Sequence, residues 1–452
     1  MKVKRLELKG FRGFDEIVLD FDTSPQKPTV FIGNNGVGKS SILDALNILL
    51  SWFTSNVKHN RYQFKKNSLT GEKKSDGKRA SENDIKNYYD SLNQNILVEY
   101  KEKKYNWSIS NLKKDNLQNL YQLTDNISND IENKSLLSIP IIIHYPVNRS
   151  VIKIPLESKI NYSTDILDVY DEILGNDSNR NSSPKSSSKI GTILNKSSVF
   201  SFDIFFEWFR TIEDLENENR VDNREYRDKQ LVAVRKAIHV LIPAFDNLRV
   251  RRNPLRMTVN KKIGNKVEEF TINQLSDGEK CLLAMVGDIA RRLAIANPSL
   301  DDPLQGEGIV LIDEIELHLH PTWQREIIPR LTQTFPNCQF IVTTHSPQVL
   351  SQVHSENIYI LQSTENGIIA SHPESSYGRD SNQILENLMD TPKRPKYFDD
   401  KILELFRLID QNDLEAAKQL RQSLEEEIDE GSDDPEVLWA GGVINRKEVL
   451  GR

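Results

Sequence analysis

Eight consecutive residues constrain this 452-residue chain more than any others: Gly33-Asn34-Asn35-Gly36-Val37-Gly38-Lys39-Ser40. Glycines at that spacing let the backbone curl so that its N–H groups point inward, a cradle for phosphate oxygens. The flanks agree. Residues 29–32 read as a short buried strand. Residues 41–53 place Ile42, Ala45, Leu46, Leu49 and Leu50 on one helical stripe. A strand, a glycine turn and a helix in that order aim the positive end of the helix at the cradle. Lys39 then reaches the β- and γ-phosphates of a nucleoside triphosphate, and Ser40 offers a hydroxyl to Mg2+. Asn34, Asn35, Gly36, Gly38 and Ser41 complete the phosphate-binding loop.

Three further motifs bear on the same chemistry. Residues 309–312 are a second apolar run, and it ends in Asp313 and Glu314. Strand–helix alternation after residue 300 predicts a mainly parallel α/β sheet, whose strands open their carboxyl ends onto the ligand crevice. Asp313 is placed there to hold Mg2+ and Glu314 to accept a proton from an attacking water. Residues 341–344 repeat the pattern and end at His345, next to the same edge and within reach of a γ-phosphate. The fourth motif, Leu275-Ser276-Asp277-Gly278-Glu279-Lys280, precedes a helix predicted over 278–296. Ser276 and Glu279 have the spacing of a capping box. A Ser-x-Gly helix start is also a second phosphate-binding device, able to approach a γ-phosphate from another subunit.

The order of these motifs resembles the ATP-binding-cassette type of P-loop ATPase, in its RecF/SMC-like and overcoming-lysogenization-defect-like branch. The stretches that carry the likeness are "LELKGFRGFDEIVLDF", "FIGNNGVGKSSILDAL", "LSDGEK", "LIDEIELHLHP" and "VTTHSPQVL", within residues 1–50, 139–150 and 245–365. The resemblance implies an α/β ATPase head with an N-terminal antiparallel β-subdomain, an inserted helical or lid region and a short helical C-terminal extension. It implies ATP and Mg2+ as ligands. Lys39, Glu314 and His345 would be catalytic, the last as a switch histidine, and Ser40 and Asp313 would hold the metal. Ser276 and Gly278 would close on ATP held by a second copy, in a head-to-tail dimer or a higher assembly. Where the family has a glutamine loop, "IHYPVNRS" offers Asn148 or Arg149 and no glutamine. Asp277 stands in place of a glycine, as is usual in this branch.

No built-in effector is visible. About 235 residues separate Ser40 from Ser276 without sustained heptads, which excludes long coiled-coil arms. The residues after Glu365 read as helices rather than a Toprim nuclease, and no His-Asn-His cluster occurs. The layout, the "YPVNR" strand and the tail "WAGGVINRKEVLGR" resemble the PtuA ATPases of Septu-type anti-phage systems. That resemblance implies a PtuB-like HNH nuclease acting in trans, with DNA met through the complex. The alternative is a RecF-like DNA-binding ATPase of repair. Four regions are expected: an N-terminal head lobe at 1–53, an inserted lid or helical region at 54–245, a C-terminal head lobe at 246–394 and a charged helical tail at 395–452.

Charge limits the partners. A net charge of −7 excludes a nucleic-acid-coating protein, so any such contact falls to a local patch. Residues 57–79 hold eight Lys/Arg against two acids, and 249–262 begin with Arg249, Arg251 and Arg252. Each patch fits a phosphate backbone or a solvated face. Two cysteines, Cys281 and Cys338, at no metal-like spacing exclude a zinc finger and a disulfide scaffold. No apolar run approaches the roughly 18 residues that span a bilayer, so no membrane role is expected and the cytoplasm is. Residues 176–189 read as a mobile Ser/Asn-rich loop, Asp433 and Asp434 as a solvated tail, and Trp439 and Val443 as anchors on a short flexible docking peptide.

Overall fold

The computed structural model describes residues 1–65, 76–132, 138–147, 166–170, 202–365, 367–428 and 433–450. Asn148, Arg149, the loop expected at 176–189 and residues 66–75 of the basic stretch at 57–79 lie outside the residues so described. The chain divides into two compact units, Met1–Gly378 and Arg379–Arg452.

The first unit begins with an antiparallel sheet. In β1 (Lys2–Phe11) Val3, Leu6 and Leu8 are buried, while the basic residues between them stay at least partly exposed. It pairs with β2 (Phe14–Asp20) on one side and β4 (Asn93–Tyr100) on the other, and β5 (Lys103–Ser110) closes the order β2-β1-β4-β5. The hairpin expected near 96–109 is therefore present, and it belongs to the N-terminal sheet. Its Trp107 is fully buried and donates from Nε1 to the Leu49 carbonyl at 3.1 Å, which seats the sheet on helix α1 (Lys39–Lys65).

The central sheet has the order β13-β12-β3-β11-β10-β6. Its members are β3 (Thr29–Gly33), β6 (Ile141–Tyr145), β10 (Gly308–Ile312), β11 (Cys338–Thr343), β12 (Ile358–Thr364) and β13 (Gly367–Ser371). All neighbours run parallel except the edge pair β12–β13. Strands β10 and β11 are buried at every position, the pattern of a parallel sheet covered on both faces. The region expected as a helical insert, 54–245, thus contributes β4 and β5 to one sheet and β6 to another. Their backbones need strand partners, and β1 and β10 supply them. The α-helices among the described residues of that region are α1 beyond residue 53, α2 (Gln118–Glu132), α3 (Phe202–Asp222) and α4 (Lys229–Leu241).

A third sheet, β7 (Phe245–Arg252), β8 (Leu255–Ile263) and β9 (Lys266–Thr271), leads into α5 (Asp277–Ala296). Helix α5 is tied to β6 through a buried polar cluster. The Tyr145 hydroxyl donates to Asp288 Oδ2 at 2.9 Å, and Arg292 Nε and Arg291 Nη2 donate to the same carboxylate at 2.9 and 2.6 Å. Helix α6 (Pro321–Thr334) lies between β10 and β11 in the chain, the usual crossover of parallel strands. No helix among the described residues is long and apolar enough to cross a membrane.

The second unit packs α7 (Ser381–Leu388), α8 (Lys396–Asp410), α9 (Leu414–Glu427) and α10 (Pro435–Leu450). Its core is Ile402, Leu405, Ile409, Ala417, Leu424, Val437, Ala440 and Ile444. Two expectations fail here. The peptide carrying Trp439 and Val443 is helical, and Trp439 rests 4.9 Å from the Phe406 ring. Asp434 is no solvated tail residue: its Oδ1 accepts from the Glu436 and Val437 N–H groups, capping α10, and its Oδ2 pairs with Arg394 at 3.2 Å. Arg394 and Lys393 also pair with Glu436 at 2.7 Å each, which binds the residues ahead of 395 to this unit. Leu405→Ala is expected to destabilise the unit by about 3 kcal/mol, because a fully buried leucine is truncated. Limited proteolysis of the full chain checks this, with faster cleavage after residue 379 and none gained before it.

Candidate nucleotide site

The loop after β3 starts at the carboxyl edge of the central sheet, between β11 and β12. Gly38 has φ +94°, and a Cβ there would stand 2.6 Å from the Phe14 ring, so only glycine lets β2 close against the loop. Asn34, Asn35 and Gly36 are exposed, as is Ser40 at the start of α1, and Ser41 is half-buried behind it. Lys39 is 7% exposed and donates from Nζ to the Gly33 and Asn34 carbonyls at 2.8 and 3.1 Å. Burial lowers its pKa, against the pull of Asp313, Glu314 and Glu316. Three carboxylates therefore favour the charge of the loop's lysine.

Two of them are those predicted. Asp313 follows β10, is 5% exposed and donates its N–H to the Tyr145 carbonyl at 2.9 Å. One of its oxygens accepts from the Thr343 hydroxyl at the end of β11. The same hydroxyl oxygen accepts the Glu314 N–H at 2.7 Å, and the Ile315 N–H donates to the Thr343 carbonyl at 3.0 Å. Thr343 thus fixes both acids through one side chain. It holds Glu314 in a left-handed turn, φ +46°, a conformation that costs a residue with a Cβ about 1–2 kcal/mol. Strain of that kind belongs where a side chain must be aimed.

The third carboxylate was not foreseen. Glu316 accepts from the Thr344 hydroxyl at 2.7 Å and from the His345 backbone N–H. It clamps the turn that carries His345, which is half-buried at the same sheet edge. Its signal in sequence is only the alternation Asp-Glu-Ile-Glu after β10. Arg12, in the β1–β2 turn, was likewise missed. It donates to Asp84 and Asp44 at 2.7 and 2.6 Å and reaches the Ser41 hydroxyl at 3.4 Å.

Ser276 and Gly278 sit elsewhere. Ser276 caps α5: its N–H and hydroxyl donate to Glu279 Oε2 at 3.0 and 2.9 Å, and its oxygen accepts the Glu279 N–H at 3.4 Å. A Cβ on Gly278 would meet the His318 carbonyl oxygen at 2.5 Å, so glycine lets α5 press on the loop that follows Glu314. Among the described residues, no hydrogen bond or ion pair joins Ser276 or Gly278 to the loop of Lys39. The arginine cluster at 249–252 is largely neutralised in place. Arg249 and Arg251 both pair with Glu269 at 2.6 Å, pulling its pKa down to about 2, and Arg252 pairs with Glu213 at 3.0 Å.

Chemically, the edge offers a backbone cradle and a cation for phosphates, a hydroxyl and a carboxylate for a hard cation, and a second carboxylate for a proton. Comparisons with known proteins agree. Residues 1–350 match the family described as AAA ATPase domain. The chain is 32% identical to the Retron Vc95 probable ATPase of Vibrio cholerae serotype O1 biovar El Tor, over 90% of this chain and 82% of that protein. It is 34% identical to the Septu protein PtuA of Bacillus mycoides (strain KBAB4) over 149 residues, 32% of this chain and 20% of that one. An SMC head domain from Thermotoga maritima aligns with 83% of this chain at 16% identity and a TM-score of 0.40. The chain belongs to the AAA ATPase domain family, as a P-loop ATPase related over part of its length to PtuA.

Proposed function

We propose that this chain is the ATP-binding and ATP-hydrolysing subunit of a cytoplasmic anti-phage defence complex. Nucleotide-dependent pairing of two copies governs an HNH-type nuclease supplied in trans. The observation that carries this reading is the division of the motifs. Lys39, Asp313, Glu314 and His345 share one sheet edge, whereas Ser276 and Gly278 lie at the start of α5 and, among the described residues, make no hydrogen bond to that loop. A second copy, turned head to tail, brings its own Ser276 and Gly278 over the phosphates, and two nucleotides are enclosed at once. Similarity to the retron probable ATPase and to PtuA supports the defence setting.

In this reading the N–H groups of residues 34–41 cradle the triphosphate, and Lys39 leaves its two carbonyls to bind the β- and γ-phosphates. The donors also suit Mg2+. Ser40 and Asp313 present only hard oxygens. That fits an ion which takes one or two protein ligands and fills its shell with phosphates and water. Held by Ser40 and Asp313, such an ion would supply charge neutralisation to the phosphates. Glu314, aimed by Thr343, takes the proton of the attacking water. His345 contacts the γ-phosphate from a turn held by Glu316. DNA is met through the assembled complex.

Light scattering tests the pairing. With ATP and Mg2+, the Glu314→Gln chain is expected to double its mass, while the same chain carrying Ser276→Arg stays single. Co-expression tests the partner: a nuclease that co-purifies stoichiometrically, and whose DNA cleavage changes with ATP, supports the proposal. Tight duplex-DNA binding by the ATPase alone, with no nuclease retained, would move the protein to the RecF-like repair role.

A further inference from the structure

The start of α5 carries two carboxylates in its first turn, Asp277 and Glu279, where a polyanion is to be received. Each is matched by a lysine. Lys280 Nζ lies 3.2 Å from Asp277 Oδ1 within the helix itself. Glu279 is met from another element: Lys261, on β8, places Nζ 2.7 Å from Glu279 Oε1, with the two side chains 26% and 17% exposed. The aliphatic stem of Lys261 reaches this position past Phe270 of β9, whose ring centroid is 5.7 Å from Nζ. The other carboxylate oxygen, Oε2, accepts both the N–H and the hydroxyl of Ser276. One carboxylate therefore joins the β8–β9 hairpin to the serine hydroxyl. Burial would raise the pKa of Glu279, but Lys261 and Ser276 outweigh it and hold it below the usual glutamate range.

We propose that Lys261 is a positioning residue for the phosphate-capping face of α5, acting through Glu279 on Ser276. It cancels a negative charge beside the place where the second copy's triphosphate arrives, and it holds the carboxylate that orients the serine hydroxyl. Without it, Glu279 keeps its charge at the mouth of the cap and repels the phosphates. Asp277 needs no such help from outside, because Lys280 is its own helix neighbour. The inference rests on the reading that Ser276 and Gly278 cap ATP held by another copy.

Lys261→Met, introduced into the Glu314→Gln chain, is expected to raise the protein concentration for half-maximal ATP-dependent dimerisation about tenfold, the scale of a like-charge contact left in an interface. In the otherwise native chain kcat is expected to fall about as far, while ATP affinity of the dilute single chain is unchanged. Lys261→Arg restores dimerisation. So does the double change Lys261→Met with Glu279→Gln, which removes the unpaired charge. If the double variant is as impaired as the single one, the proposal fails. It also fails if Lys261→Met dimerises and turns over normally while Ser276→Arg stays single. If Ser276→Arg dimerises normally, the underlying reading of the cap is what falls. Should Lys261→Met not fold, the arginine and double variants decide the matter.

Discussion

Lys39→Ala is expected to abolish measurable ATP binding and to bring hydrolysis to background, with the fold intact. A charge-assisted hydrogen bond to an anion contributes about 1.5–3 kcal/mol, and Lys39 is placed to make more than one. The side chain is also a cation whose charge Asp313, Glu314 and Glu316 favour. Its loss leaves the carboxylates facing the phosphates with less opposing charge, so the affinity falls by more than the lost bonds alone. A rise in Kd of at least roughly 100-fold is expected, about 2.7 kcal/mol. The fold should not share the loss. The Gly33 and Asn34 carbonyls that Lys39 serves lie in a loop that is itself half-buried to exposed, where water replaces the ammonium at little cost. Titration with a fluorescent ATP analogue, beside a thermal melt that moves by no more than a degree or two, checks both halves. ATP bound by the alanine variant at native affinity would remove the 33–40 loop as the nucleotide cradle.

How much of this was legible before the structure depends on how local each feature is. The strand, glycine loop and helix at 29–53 are contiguous, and their apolar spacing alone sets β3 and α1 on either side of the loop. Asp313 and His345 were placed at one edge because parallel strands share a carboxyl end, a rule that needs no register. Thr343 and Glu316 were invisible for the opposite reason. Their roles arise only once β10 and β11 pair in register, setting Ile312 opposite Val342 so that Asp313 and Thr343 follow level with each other. The Lys261–Glu279 pair hides in the same way behind the β8–β9 hairpin. The C-terminal helix was misread because Gly441 and Gly442 depress intrinsic helicity by about 1 kcal/mol each. Packing on Leu405 and Leu424 overrides that penalty, as tertiary burial commonly does for short helices.

Glu314→Gln is expected to hold ATP and hydrolyse it at least about 100-fold more slowly, the range for removing a positioned general base. Glutamine has nearly the same shape, so the left-handed turn at this position, the N–H bond to Thr343 and the neighbouring Asp313 carboxylate all persist. What is lost is the ability to take a proton from water. The charge removed also stood among the carboxylates facing the triphosphate, so ATP affinity should be held or raised rather than lost. Capped by a second copy and unable to turn over, the nucleotide then locks the pair. Single-turnover measurements with radiolabelled ATP read the slow step, and light scattering under the same conditions reads the trapped dimer. Thr343→Val supplies an internal control. It removes the hydroxyl that fixes both acids, so it should lower kcat by about tenfold with ATP still bound and released, because the base is present but no longer held in place. If Glu314→Gln hydrolyses ATP at the native rate while Thr343→Val does not, the proton goes elsewhere, and Asp313 or His345 becomes the acceptor to test.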